Sequence, residues 1–261
     1  RDEPYNEPSL GDAGQMLDPF VYLGALAMHT STLGLGVSSI ILPLRHPAHV
    51  AKAAMSADAL SNGRLLLGVA SGDRPDEYPA LNVDYATRGE RFRDSVDYIR
   101  KMSETAPLLD NYYGRLDGHI DMLPKPGGND LPLLITGSSQ QSDAWIAANG
   151  DGWMTYPRPA AVQSPLIKAY RARAHAAGVE DKPVMEPLYI DLASDRAEAP
   201  SPIHLGIRAG SDALIDYLQQ RQDIGVNHIA LNLRFNQDNI EDTLHQLAET
   251  VLPAFTEESK A

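Results

Sequence analysis

Short apolar runs alternate with longer helix-like segments along nearly the whole chain, and few folds accept that rhythm. The runs are Thr32–Pro43 (containing LGLGVSSIILP), Arg64–Ala70 (RLLLGVA), Pro132–Thr136 (PLLIT), Gly152–Tyr156, Pro183–Leu192 and Val226–Leu233 (VNHIALNL). Most are unbroken and rich in branched residues. They read as strands buried on both faces, the habit of a parallel sheet covered by helices. Helical segments follow at Pro47–Leu60, Asp84–Met102, Gln140–Asn149, Ala161–Ala177, Ser211–Ile224 and Asp238–Phe255. An earlier helix opens at Asp18-Pro19, with Asp as N-cap and Pro at the first helical position. Asn62-Gly63, Gly178 and Gly225 are placed to end helices. Tyr112–Leu123 is expected to form an irregular hairpin, Asp195–Ile207 an irregular excursion, and Arg1–Gln15 a loop.

About six strands, each leading into a helix, define an α/β chain. No linker or composition shift divides it, so residues 1–261 are expected to form a single domain. A doubly wound sheet that binds a dinucleotide should carry G-x-G-x-x-G in its first strand–helix turn. The turns here read PLRHP, SGDRP and GSSQQ. A TIM-like (β/α)8 barrel fits better, although six strands leave it two short.

Composition removes other classes. The chain has no cysteine, which excludes a disulfide scaffold, thiolate metal sites and a cysteine nucleophile. Its 22 Lys and Arg against 35 Asp and Glu give a net charge of −13, the wrong sign for nucleic acid or an anionic membrane. No apolar stretch approaches the ~18 residues of a membrane span. Arg1–Pro8 is charged and proline-rich, unlike a signal peptide, so a cytoplasmic protein is expected.

In either architecture chemistry gathers where strands end and helices begin. Four such ends stand out: Ser38-Ser39 with the following Leu44-Arg45-His46-Pro47, Ser71-Gly72-Asp73-Arg74-Pro75, Thr136-Gly137-Ser138-Ser139-Gln140-Gln141-Ser142, and Thr155-Tyr156-Pro157-Arg158. Gly137 permits close approach of a ligand, and Ser138, Ser139 and Ser142 offer hydroxyls before a new helix. That combination suits a terminal phosphate, or merely caps the helix. Asp73 and Arg74 either meet a substrate or pair on their loop. Arg88 either reaches a phosphate or is a solvated helix residue. His46 and His49 lack a third ligand at useful spacing, so no metal is expected.

Taken together, these segments resemble the luciferase-like monooxygenase family, the bacterial luciferase superfamily of flavin-dependent oxidoreductases. The most telling stretch is LPLRHPAHVAKAAMSADALSNGRLLLGVASGDRPDEYPALNVDYATRGERFRDSVDYIR, supported by GSSQQSDAWIAANGDGWMTYP and IGVNHIALNLR. The ASGDRPDEYP variant resembles a non-luminescent subgroup. The resemblance implies a TIM-like barrel whose strands three to eight are those read above, with strands one and two expected to be missing from the sequence. It implies flavin mononucleotide (FMN), or a deazaflavin coenzyme, at the carboxyl ends of the strands. Ser38-Ser39 would be joined by a non-prolyl cis peptide beneath the flavin ring. Ser71 and Gly72 would lie near the ribityl chain or phosphate. Arg88, Gly137, Ser138, Ser139 and Ser142 would hold the phosphate. Asp2, Arg74 and Tyr156 are the candidates for catalysis on the substrate side.

The implied reaction uses reduced FMN, delivered by a separate NAD(P)H-dependent reductase, and molecular oxygen to oxidise a small organic substrate. A deazaflavin enzyme would instead transfer hydride, and a non-catalytic flavin-binding protein is a further alternative. A sugar-phosphate barrel enzyme would need carboxylates or lysines at strand ends that are mainly Ser, Thr and Tyr. The resemblance also implies a homodimer.

Overall fold

The computed structural model describes residues 16–128, 130–179 and 182–255. They fall into two compact units, one of Met16–Met154 with Arg173–Lys182, the other of Thr155–Ala172 with 183–255. Asp2 lies outside the described residues.

The first unit begins with α1 (Pro19–His29), where the Asp18 carboxylate accepts the amides of Phe20 (2.9 Å) and Val21 (3.4 Å), as the Asp-Pro pair predicts. Strand β1 (Leu35–Ile41) leads through a 3-10 turn into α2 (Pro47–Ser61). The α2 N-cap is His46, whose Nδ1 accepts Ala48 N–H at 3.2 Å, and Asn62 ends the helix in the left-handed region. Strand β2 (Leu65–Ala70) precedes the short α3 (Glu77–Ala80) and the long α4 (Arg88–Lys101). A hairpin follows, β3 (Leu108–Asn111) with β4 (Gly114–Asp117), then β5 (Leu133–Thr136), α5 (Asp143–Asn149) and β6 (Gly152–Met154). The order β1-β2-β5-β6 is parallel throughout.

Leu65, Leu67 and Val69 of β2 and Leu133 and Ile135 of β5 are buried, as their apolar runs predict, but Leu66 of β2 is 47% exposed. Helix α2 covers them with small residues, Ala51 and Ala54, and helix α4 adds Phe92 and Ile99. Each such aliphatic side chain contributes roughly 1.5–3 kcal/mol on burial. Strand β1 departs from the expected burial on both faces: Leu35 and Ile40 are buried, but Gly36 and Ser38 are exposed. Their side chains offer no apolar area to withdraw from water.

The second unit contains α6 (Ala160–Ala176) up to Ala172, β7 (Val184–Leu192), β8 (Ser201–Ile203), β9 (Gly206–Ala209), α7 (Ser211–Asp223), β10 (His228–Asn232) and α8 (Ile240–Gln246). Strand β10 runs parallel to the first half of β7, and β9 to its last residues. Leu188, Ile190 and Leu192 pack with Leu214 of α7 and with Leu247 and Val251. Among these apolar groups lies a buried ion pair, Glu186 with Arg221 at 2.6 Å.

Four local expectations are corrected. The hairpin turns at Tyr112-Tyr113 instead of occupying Tyr112–Leu123. The expected irregular excursion contains the β8–β9 hairpin, which turns at Leu205 with φ +53°. Helix α5 starts at Asp143 and not Gln140, because Ser139 and Gln140 sit at φ +45° and +61°. The last helix ends at Gln246 and continues as a π-helical turn, Leu247–Val251, and a 3-10 turn. Periodicity does not distinguish these helix types, since all keep neighbouring turns in contact. Among the described residues no helix is long and apolar enough to cross a membrane.

Candidate functional site

In the first unit the carboxyl ends of β1, β2 and β5 adjoin, and the chain leaves the regular strand ladder there. The Ser38–Ser39 peptide is cis, and the register between β1 and β2 shifts between Val37 and Ile40. Gly68 of β2 makes this possible. A Cβ at that position would collide with the Val37 carbonyl and stand 2.8 Å from Met154 Sδ. Without one, Met154 fills the space and accepts a weak hydrogen bond from Thr136 Oγ1 at 3.4 Å. Ser39 Oγ meets the same Thr136 Oγ1 at 2.5 Å. Small hydroxyls and backbone thus meet at this end of the sheet, with Met154 packed against them.

The loop after β2 is held from beneath. Tyr78 is fully buried, and its hydroxyl donates to the Ser71 carbonyl. Burial pushes its phenol up to about 12, so it remains a donor at neutral pH. Gly72 takes φ +76°, and a Cβ there would lie 2.8 Å from Ile41 Cγ2 and 2.9 Å from Tyr78 Oη. Tyr78 meets the Tyr85 ring edge-on at 5.0 Å, and the Arg88 guanidinium lies 3.8 Å above the Tyr85 ring. Arg88 opens α4, and its Nη1 donates to Tyr85 O at 3.0 Å. Its Nε is buried without a hydrogen-bond partner among the described residues. A buried guanidinium N–H with no acceptor is costly unless a ligand supplies one.

The turn after β5 divides its hydroxyls. Gly137 takes φ +57°, and nothing lies within 4 Å of where its Cβ would be. Ser139 is buried and donates to Thr136 O at 2.7 Å, so its proton is already used. Ser142 Oγ accepts Trp145 N–H at 3.2 Å, which makes it the α5 cap but leaves its own proton free. Ser138 is exposed, and its hydroxyl makes no hydrogen bond among the described residues. Ser139 is thus spent within the turn, whereas the cap Ser142 and the exposed Ser138 each keep a hydroxyl proton uncommitted among the described residues.

The structure brings Ser38, Ser39, Ser71, Gly72, Arg88 and the 137–142 turn to adjoining strand ends of this unit. The Arg74 guanidinium lies 3.7 Å from the Glu77 carboxylate, both half-exposed. Tyr156 is 55% exposed and belongs to the second unit. Sequence reading placed Thr136 and Gln141 in the turn after β5 but gave them no role, and it missed Tyr78; each is recognisable only through its partner in another element.

The sequence profile of the luciferase-like monooxygenase family matches residues 5–259. An uncharacterized protein of Mycobacterium tuberculosis is 29% identical over 199 residues, 72% of this chain and 70% of its own. Among solved structures, a monooxygenase from Streptomyces bottropensis superposes with a TM-score of 0.80 at 22% identity, covering 92% of this chain and 83% of that one. An F420-dependent secondary alcohol dehydrogenase, solved with an F420–acetone adduct, superposes with a TM-score of 0.79 at 17% identity, covering 94% and 86%. The TIM-like α/β fold expected from the strand–helix alternation is the fold of these structures.

Proposed function

Since the chain belongs to the luciferase-like monooxygenase family, we propose that it is an oxidoreductase using reduced FMN and molecular oxygen on a small organic substrate. The observation that carries this reading is the buried, unpartnered Nε of Arg88 at the start of α4, beside a turn with free serine protons. These groups fit a phosphate: a fixed cation and hydroxyl donors next to backbone that approaches closely at Gly137. Arg88, Ser138 and Ser142 would donate to it, and Ser139 would hold the turn. Ser38-Ser39 would support the ring, with Ser71 and Gly72 along the chain that joins ring to phosphate. Bound there, the reduced coenzyme supplies electrons to oxygen or a hydride to substrate. The protein's residues position it and limit water around it.

A hydride-transferring enzyme using the deazaflavin coenzyme is the second reading, favoured by the likeness to the F420-dependent alcohol dehydrogenase structure. Under the first reading a separate NAD(P)H-dependent flavin reductase supplies the reduced coenzyme. A homodimer working in the cytoplasm completes the proposal.

Titration of the purified protein with FMN and with the deazaflavin coenzyme, followed by fluorescence, decides between the readings. The first expects saturable FMN binding, together with substrate-dependent oxygen uptake when reduced FMN is supplied. Binding of the deazaflavin alone replaces the first reading with the second. Binding of neither removes both.

A further inference from the structure

We infer that Gln141 is a positioning residue for the phosphate-gripping turn, acting through the backbone of Ser139 and Gly89. The inference rests on the proposed flavin site. Gln141 is 8% exposed, and every polar atom of its side-chain amide is engaged. Oε1 accepts from Arg93 Nε at 3.2 Å and Nη2 at 3.0 Å. Nε2 donates to Gly89 O at 2.8 Å and to Ser139 O at 3.1 Å. One amide therefore ties the first turn of α4, where Arg88 sits, to the turn that carries Ser138 and Ser142.

Such a tie is needed. Ser139 and Gln140 are consecutive non-glycine residues at positive φ, a conformation that a free loop leaves readily. The Gln140 Cβ also lies 2.8 Å from where a side chain at Gly89 would begin, so helix and turn are in direct contact. No other uncharged side chain of this length both accepts a guanidinium and donates to two carbonyls. Glutamate cannot donate, and methionine offers only a weak sulfur acceptor and no donor. Loss of the amide should let Ser139 and Gln140 relax and spread the donors of Arg88, Ser138 and Ser142. The ring-supporting pair Ser38-Ser39 has no bond to Gln141 and should be unaffected.

The test compares FMN with riboflavin, which lacks the phosphate, by fluorescence titration of the purified protein. Wild type is expected to prefer FMN. Gln141→Met, close in shape but without the amide, should reduce that preference roughly tenfold while riboflavin affinity stays within about twofold. Arg93→Lys keeps the charge but loses the paired N–H bonds, and should reduce the preference about threefold. A purely structural role weakens both ligands equally, and that outcome, or unchanged preference in both variants, overturns the inference. Should Gln141→Met fail to fold by near-UV circular dichroism, the Arg93→Lys ratio decides alone. If wild type shows no preference for FMN over riboflavin, nor for the deazaflavin coenzyme over its phosphate-free chromophore, the proposed site itself fails and takes this inference with it.

Discussion

The carboxylates of β7 in the second unit and the polar groups around Arg88 in the first are handled in opposite ways. In the second unit the carboxylates of β7 are saturated. Asp191 accepts from Arg208 Nη1 at 2.7 Å, from Gln237 Nε2 at 2.9 Å and from the Gln237 amide at 3.0 Å. Glu186 is gripped by Arg221 through Nε and Nη2, and Arg221 Nη1 donates to Arg158 O at 2.9 Å. In the first unit, by contrast, the Nε of Arg88 has no acceptor among the described residues, where Ser138 and Ser142 also keep protons to spare. Saturated groups hold a chain together. Unsaturated ones, kept in place by neighbours such as Tyr85 and Gln141, are what a ligand can complete.

The contrast can be broken most forcefully at Glu186. Replacing it with Ala strands the Arg221 guanidinium in a buried site, and denaturant unfolding should show a loss of about 3–5 kcal/mol. The double change Glu186→Leu with Arg221→Met should cost much less, because no charge is left unpaired. Arg88→Ala should do the reverse: FMN binding weakens by roughly 1.5–3 kcal/mol while unfolding hardly changes. A large stability loss with unaltered affinity would place Arg88 with the saturated groups.

Gly72→Ala tests the backbone beneath the site. At φ +76°, with Ile41 and Tyr78 in the way, the new methyl should cost about 1–3 kcal/mol of stability. The smallest effect concerns Asp18. Partial burial raises its carboxyl, but the Arg45 guanidinium at 3.0 Å and two backbone amides outweigh that and hold it below 3.8. Its contribution, under about 1 kcal/mol for so exposed a group, is present above pH 3.8 and is lost as the pH falls through the lowered value. Thermal midpoints of wild type and Asp18→Ala should therefore converge in acid.

Much of this was legible beforehand, for reasons that particular residues make plain. Asp18, His46 and Asn62 act on amides or conformations within a few positions of themselves, so their caps can be read locally. The apolar runs of β2 and β5 announce burial because most of their side chains would be costly to leave in water, although Leu66 of β2 stays 47% exposed. The cis Ser38–Ser39 bond was anticipated through resemblance to a family, and composition gives no sign of it. The β8–β9 hairpin was missed because its strands are short and carry Pro202, so their pairing owes more to β7 alongside than to their own propensity.

The sequence by itself determined the alternation of strands and helices, the positions of their caps, and the collection of small polar residues at strand ends, since each depends on neighbours a few residues away. Only the tertiary structure decided which serines keep a free proton, that Arg88 retains an N–H unanswered among the described residues, and that Gln141 joins α4 to the turn after β5. Those outcomes depend on bonds between residues as much as 52 positions apart in the chain, and hydrogen-bond satisfaction is settled by where the partners come to lie, which no local pattern records.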